Sequence, residues 1–194
     1  MPKILVTGGA GQLGQSFNAL ANKDLVVLDR QQLDIAIPSA ICQAFRQFQP
    51  TLVINAAAYT DVERAELDSE QAFAINEKAA ALLAQQCAEQ GIQLIHLSTD
   101  YVFDGSKGAP YVPSDDTNPI NIYGQSKLAG EKAVLSANSQ AIIVRSSWLY
   151  SEFGHNFQTK ILRAAKERLQ QVKPLQVVSD EWGTPTYAPD LVRF

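Results

Sequence analysis

A glycine-rich turn directly after a short apolar run is the feature that most constrains the fold of this chain. Gly8, Gly11 and Gly14 follow the apolar residues 4–6 and stand where a helical stretch begins. Glycines at these positions permit a tight strand-to-helix turn, and the unpaired N–H groups at the start of a helix attract an anion. The turn therefore predicts a Rossmann-type βαβ unit that binds the pyrophosphate of a dinucleotide.

Short apolar runs alternate along the whole chain with stretches of helical spacing or composition. The runs are apolar at consecutive positions, as expected for strands whose two faces are both covered by helices. We therefore predict an α/β fold with a doubly wound parallel sheet. The predicted strands are residues 4–6, 25–28, 52–54, 94–97, 142–144 and 175–178, and the predicted helices are residues 12–21, 38–48, 68–90, 119–136 and 156–171.

Composition excludes several classes of partner. The net charge is −4 and the basic residues are dispersed, so we expect no nucleic acid to bind. No apolar run approaches the length of a membrane span, and the apolar start is too short for a secretory signal, so we expect a cytoplasmic protein without membrane contact. Cys42 and Cys87 lack a C-x-x-C pattern and are interpreted as two buried thiols.

Two charged residues at the end of the second predicted strand favour different nicotinamide cofactors. Asp29 stands where an acid would hydrogen-bond the hydroxyls of the adenosine ribose, which favours NADH. Arg30 beside it would make a charge-assisted contact with a 2′-phosphate, which favours NADPH. Both NADPH and NADH remain candidates.

Tyr123 and Lys127 are four residues apart in a predicted helix, which Asn118 would cap and Pro119 would begin. This spacing places both side chains on one helical face. An isolated phenol has a pKa near 10, so a tyrosine that transfers protons near neutral pH needs a cation to favour its phenolate. We expect Lys127 to supply that cation and Tyr123 to carry the proton.

Two hydroxyl side chains, Ser98 and Thr99, end the fourth predicted strand and precede a long loop. Loops at the carboxyl ends of parallel strands form the ligand crevice of such folds. A hydroxyl at this position can hydrogen-bond a substrate carbonyl while Tyr123 delivers a proton.

These motifs together resemble those of the dTDP-4-dehydrorhamnose reductases, a branch of the extended short-chain dehydrogenase/reductase superfamily. The resemblance covers essentially the whole chain. Its motifs are GGAGQLG at 8–14, NAAAYT at 55–60, STDYVFDG at 98–105, YGQSKLAGE at 123–131, RSSWLY at 145–150, Asn156-Phe157 and SDEWGTPT at 179–186.

The resemblance implies reduction of the 4-keto group of dTDP-4-dehydro-L-rhamnose by NADPH or NADH, in nucleotide-sugar biosynthesis. It implies a catalytic set of Thr99, Tyr123 and Lys127, the last also holding the nicotinamide ribose. Thr99, Tyr101 and Trp148 are the implied contacts with the sugar. The cofactor residues, combining this resemblance with the turn and the strand end, are Gly8, Gly11, Gln12, Leu13, Gly14, Asp29, Arg30, Asp34, Ile35, Ala58, Tyr59, Thr60, Tyr123 and Lys127.

Two features depart from that branch. Gln15 stands where some members have an acid for a metal-linked dimer, so we expect no metal and leave the oligomeric state open, with a homodimer as one option. The chain also stops where a helix begins, so we expect residues 1–150 to form the cofactor-binding domain and residues 151–194 a partial substrate-binding portion. A non-catalytic NADP-binding regulatory subunit and another nucleotide-sugar epimerase or dehydratase remain the alternatives.

Overall fold

The alternation of strands and helices is realised in a computed structural model, which describes residues 3–154 and 156–193. The strands are β1 (Ile4–Thr7), β2 (Leu25–Leu28), β3 (Leu52–Asn55), β4 (Gln93–Thr99), β5 (Ile142–Ser146), β6 (Leu149–Tyr150) and β7 (Thr186–Tyr187). The α-helices are α1 (Gln12–Ala19), α2 (Pro38–Phe48), α3 (Val62–Ala65), α4 (Ser69–Phe73), α5 (Ala80–Glu89), α6 (Ile122–Ala137), α7 (Phe157–Gln170) and α8 (Ala188–Leu191). A π-helical turn (Ala74–Ala79) joins α4 to α5, and a 3₁₀ turn (Asp100–Val102) follows β4.

Among the described residues the main sheet has five strands, all parallel, in the order β2-β1-β3-β4-β5. The chain runs outward from β1 to β2 and then crosses to the other side of β1 to form β3. This reversal opens a crevice between the carboxyl ends of β1 and β3, where ligands bind in open α/β sheets. The predicted doubly wound parallel sheet is therefore confirmed.

Helices cover both faces of the sheet, which explains why the strands are apolar at consecutive positions. Leu5 and Val53 face a cluster built with α2, α5 and α6, whereas Val6 and Ile54 face a second cluster built with α1 and α8. Leu5, Val6 and Val53 are fully buried. Of the two cysteines, Cys87 is buried in the first cluster and Cys42 is partly buried beside it, donating to Gln86 Oε1.

The predicted strand at residues 175–178 is wrong. The segment carries no strand, and Leu175, Val177 and Val178 are exposed. The apolar run alone could not reveal that no neighbouring strand pairs with it. The short second sheet is instead formed by β6 and β7, which pair in parallel through Leu149 and Thr186.

Two predicted helices have different bounds. The predicted helix over 68–90 is interrupted by the π-helical turn, and the predicted helix from 119 begins three residues later, at Ile122. Its cap is Asn121, whose side chain accepts the Gly124 N–H at 2.7 Å. Asn118 is no cap because its side chain donates to Asp104, at 3.0 Å.

Candidate active site

The glycine turn between β1 and α1 is held against the turn that follows β3. Gly8 has a φ of +74°, in the left-handed region, and a Cβ built on it would stand 2.6 Å from the Ala56 carbonyl oxygen. The Gly11 amide donates to Gly8 O at 2.9 Å, so it closes the turn itself. The first amides of α1, those of Gln12, Leu13 and Gly14, follow this turn and have no intrahelical acceptor.

A cleft of about 210 Å³ lies along this turn. Seven of the fourteen predicted cofactor residues line it, and the other seven do not: Gln12, Leu13, Gly14, Asp29, Tyr59, Tyr123 and Lys127. The side chain of Leu13 packs in the core, and that of Gln12 bonds to the Ser151 and Asn156 side chains, so both residues offer the crevice only their backbones. The lining residues are Gly8, Ala10, Gly11, Arg30, Leu33, Asp34, Ile35, Ala36, Ala56, Ala57, Ala58, Thr60, Ile75 and Ala79.

Asp29 and Arg30 differ in how they are engaged. The Asp29 Oδ1 atom accepts the Gln31 and Gln32 amides at 2.9 and 3.0 Å, so this carboxylate oxygen organises its own turn. Arg30 lines the cleft, its side chain is 71% exposed, and its Nε lies 3.2 Å from Asp34 Oδ2. The arginine is therefore the more available of the two charges.

A buried polar network beneath the cleft joins the carboxyl ends of β1 and β3 to the middle of β4. Thr7 Oγ1 donates to Asn55 Oδ1 at 2.6 Å, and the Ala57 amide bonds to both, at 3.3 and 3.2 Å. Asn55 Nδ2 lies 3.0 Å from His96 Nδ1. Burial, and secondly the charge of Lys127, lowers the pKa of His96 to about 3, so the ring is neutral and Nδ1 can accept from Asn55. The network fixes the Ala57 backbone as a wall of the cleft.

Tyr123 lies at the carboxyl end of β4, beside Thr99. Burial raises the pKa of Tyr123 to about 12, and the nearby Thr99 side chain acts on this pKa in the opposite direction. The ring of Tyr101 packs edge-on against that of Tyr123, with centroids 5.6 Å apart. The phenol therefore keeps its proton at neutral pH and is a proton donor in this state. Burial dominates the pKa of Tyr123 in this state, and the expected stabilisation of a phenolate by Lys127 stays a prediction.

Lys127 is buried, with 2% of the residue exposed, and its ammonium donates to the Leu97 carbonyl at 2.7 Å. Burial lowers its pKa to about 8, and the Glu131 carboxylate one turn further along α6 acts in the opposite direction. The lysine thus lies behind the strand end, on the same helix as Tyr123, and carries its charge near neutral pH.

Ser98 does not face the crevice as its position beside Thr99 suggested. Its hydroxyl donates to Glu131 Oε1 at 2.5 Å. Glu131 also receives two bonds from Arg145, from Nε at 2.9 Å and Nη2 at 2.6 Å, and the guanidinium lies 5.0 Å from the centroid of the Phe103 ring. This pair ties α6 to the ends of β4 and β5, so Thr99 alone remains as the hydroxyl beside Tyr123.

Asn76 is a site residue that the sequence reasoning missed. It lies in the π-helical turn and is 99% buried, and its side chain bonds to both backbone groups of Tyr59, at 2.8 and 3.0 Å. Its Nδ2 also donates to Ser126 Oγ at 2.9 Å, and Ser126 donates to the Tyr123 carbonyl at 2.7 Å. Asn76 therefore connects Tyr59, which stands between the cleft-lining residues Ala58 and Thr60, to the helix that carries Tyr123. A buried polar residue inside an apolar helical pattern was the available signal.

Trp148 lies two residues beyond the end of β5 and is partly exposed.

Within residues 3–154 and 156–193, no group of His, Cys, Asp or Glu side chains is arranged to hold a metal ion. Gln15, which stands where an acid could take part in a metal-linked dimer, donates to Ala10 O at 2.9 Å. None of the helices in the described ranges has the length and hydropathy to cross a membrane.

A parallel sheet with a glycine turn at its switch point and a Tyr-x-x-x-Lys helix beside it defines a Rossmann-type protein of the short-chain dehydrogenase/reductase class. The family model described as the RmlD substrate binding domain matches residues 2–194. The chain therefore belongs to this family, that of the dTDP-4-dehydrorhamnose reductases.

Individual relatives agree with this assignment. The chain is 43% identical to the dTDP-4-dehydrorhamnose reductase of Sinorhizobium fredii, covering 97% of this chain and 63% of the relative. It is 38% identical to that of Aggregatibacter actinomycetemcomitans, covering 98% and 65%. The crystal structure of the Bacillus anthracis reductase in complex with NADP superposes with a TM-score of 0.92 at 38% identity, covering 98% of this chain and 68% of that one. The chain thus spans slightly less than two thirds of these curated relatives.

The buried ammonium of Lys127 predicts a pH-dependent stability. Its pKa is about 8 in the folded chain and 10.5 for the exposed side chain, so the unfolded state holds more protons between these values and stability rises across this range. Lys127→Met removes the buried charge and should raise the free energy of unfolding at pH 7 by about 1–3 kcal/mol. Urea denaturation at pH 7 and pH 10 measures the difference, which should shrink at pH 10.

Lys132→Met is the matched control, because Lys132 is exposed on the same helix. It should change the free energy of unfolding by less than about 0.5 kcal/mol at both pH values. A Lys127→Met protein that is less stable than the parent at pH 7 would contradict the prediction.

Proposed function

We propose that the chain carries the cofactor site and the proton donor of an NADPH-dependent dTDP-4-dehydrorhamnose reductase. The observation that carries the proposal is a buried Tyr123 that keeps its proton and lies near Thr99, at the carboxyl end of β4. A buried phenol that keeps its proton suits the reduction of a ketone, since the forming alkoxide must be protonated. The names of the relatives supply the particular ketone, a dTDP-linked 4-keto-6-deoxy sugar.

The cleft fits a dinucleotide on features of its own. The unpaired amides at the start of α1 can donate hydrogen bonds to a pyrophosphate. Because Gly8 has no Cβ, its backbone can lie directly against the turn at Ala56. Alanine residues and Ile75 provide apolar contact for an adenine ring, whereas Asp34 and Thr60 provide polar groups for a ribose. Lys127, within reach of the same strand ends, would hold the nicotinamide ribose.

The bound nicotinamide supplies the hydride, and the protein residues orient the ketone and move the proton. Thr99 polarises the carbonyl oxygen with its hydroxyl, which is held by the strand end. Tyr123 transfers its phenolic proton to that oxygen, and the charge of Lys127 stabilises the phenolate left behind. The raised pKa of Tyr123 is compatible with these roles. Before the reaction the raised pKa keeps the phenol protonated, and after the proton transfer the Lys127 ammonium stabilises the phenolate.

The proposed preference is for NADPH over NADH. Asp29 already uses one carboxylate oxygen within its turn and does not line the cleft, whereas Arg30 lines it with an exposed guanidinium. A guanidinium recognises a phosphate group by charge-assisted hydrogen bonds. The solved relative from Bacillus anthracis contains NADP, which is consistent with this preference.

Arg30→Ala should weaken NADPH binding by about tenfold or more, because one charge-assisted contact is lost. NADH binding should change by less than about threefold, since NADH has no 2′-phosphate. Isothermal titration calorimetry on the 194-residue chain measures both dissociation constants. Arg46→Ala, at the opposite end of the sheet, is the control. An equal loss for the two cofactors would contradict the role assigned to Arg30.

Tyr123→Phe should lower turnover by about 100-fold or more, because the proton donor is removed, while NADPH binding persists. The measurement is NADPH oxidation that depends on dTDP-4-dehydrorhamnose, in the full natural chain. Tyr111→Phe is the matched control, since its hydroxyl bonds to Asp104 in the loop and lies outside the cleft.

Three outcomes would contradict the proposed function. Undiminished turnover in Tyr123→Phe would remove the proton donor from the mechanism. NADPH binding without turnover in the unmodified protein would favour a regulatory binding subunit. Sugar conversion without net consumption of NADPH would favour an epimerase or dehydratase.

A further inference from the structure

Trp148 has a strained backbone next to the site. Its φ is +45°, in the left-handed region that residues with a side chain rarely adopt. It follows β5 by two residues, and Ser146 at the end of β5 is paired with Thr99. Such strain persists only where the surrounding structure enforces it, and it is concentrated at functional sites. The conformation of Trp148 therefore requires contacts that hold it.

Gly183 lies in close contact with the Trp148 ring. A Cβ built on Gly183 would stand 2.6 Å from Nε1 and 2.8 Å from Cζ2 of the Trp148 ring, and closer still to Cε2. The backbone of Gly183 lies outside the left-handed region, so its φ does not require glycine. Position 183 therefore requires glycine only because of the available space, since the indole ring occupies the volume that a larger side chain would need.

The segment that contains Gly183 is fastened on both sides of Trp148. We name residues 183–187 the strap. Ser147 Oγ donates to Thr184 O at 2.6 Å, and the Thr186 amide donates to Trp148 O at 3.3 Å. The strap therefore holds the backbone before and after the indole and covers one side of the ring, while 41% of Trp148 remains exposed.

We propose that Gly183 is a positioning residue that seats Trp148 as a wall of the sugar subsite and so determines acceptance of the 6-deoxyhexose. This inference rests on the proposed function. An indole held two residues beyond Ser146, the strand partner of Thr99, offers an apolar surface to the C–H groups and the C6 methyl of a deoxyhexose. An added side chain at position 183 would displace the ring from this position, although Gly183 itself need not touch the sugar.

The seating of the ring is measured first by fluorescence. The chain has two tryptophans, and Trp182 is 94% exposed, so Trp182→Phe leaves Trp148 as the single emitter. In this background Gly183→Ala should shift the emission of Trp148 to longer wavelength and increase its quenching by acrylamide. An unchanged spectrum and unchanged quenching would overturn the inference.

The sugar subsite is tested next, in the full natural chain, with dTDP-rhamnose, dTDP and NADPH as probes. Gly183→Ala should weaken dTDP-rhamnose about tenfold and change the dissociation constants of dTDP and NADPH by less than about twofold. In a Trp148→Ala background the ring is gone, so Gly183→Ala should change the affinity for dTDP-rhamnose by less than about twofold.

The outcomes separate the two proposals. A parent protein that binds no dTDP-rhamnose overturns the proposed function and the inference with it. A parent that binds it equally well after Gly183→Ala overturns the inference alone. The inference is also overturned if Gly183→Ala weakens dTDP-rhamnose equally with and without Trp148, or weakens all three probes alike, since a general structural defect would do so.

Discussion

The close contact between the turns after β1 and β3 is the constraint on which the cleft depends. Gly8 meets the Ala56 carbonyl with no room for a Cβ, and Gly14 packs in the same way against Gly8 and Gly9. This contact brings the amides at the start of α1 to the crevice made by the reversal in strand order. Because packed backbones cannot yield as a flexible side chain can, a methyl group at Gly8 or Gly14 would separate the turns or displace α1.

The helix α6, which carries Tyr123 and Lys127, is positioned by polar contacts on the other side of the same crevice. The Ile122 amide donates to Glu66 at 2.9 Å, and Asn76 links Ser126 to the backbone of Tyr59. Further along α6, Glu131 is bonded to Ser98 and Arg145. Since a buried ion pair is costly unless its hydrogen bonds are made, these contacts favour one register of the helix against β4. Tyr123 and Lys127 are thereby fixed relative to Thr99.

Local patterns in the sequence predict the sheet and much of the site, because both depend on neighbours along the chain. The consecutive apolar runs identify all five strands of the main sheet, and the i, i+4 spacing places Tyr123 and Lys127 on one helix. Local patterns fail where strand pairing or a side-chain hydrogen bond depends on a residue far away in the sequence. The apolar run at 175–178 pairs with no strand and is exposed. The Asn118 side chain donates to Asp104, and the Ser98 hydroxyl donates to Glu131. The dependence of Trp148 on Gly183, across 35 positions, could only be found in three dimensions.

The proposed cofactor site depends on the amides after the glycine turn, which would bind the pyrophosphate of a dinucleotide. Amide NMR of the ¹⁵N-labelled 194-residue chain, titrated with NADPH, measures this binding directly. We expect the resonances of Gln12, Leu13 and Gly14 to shift most strongly and their amide exchange to slow. Binding that leaves these three amides unchanged and perturbs another surface would contradict this role of the turn.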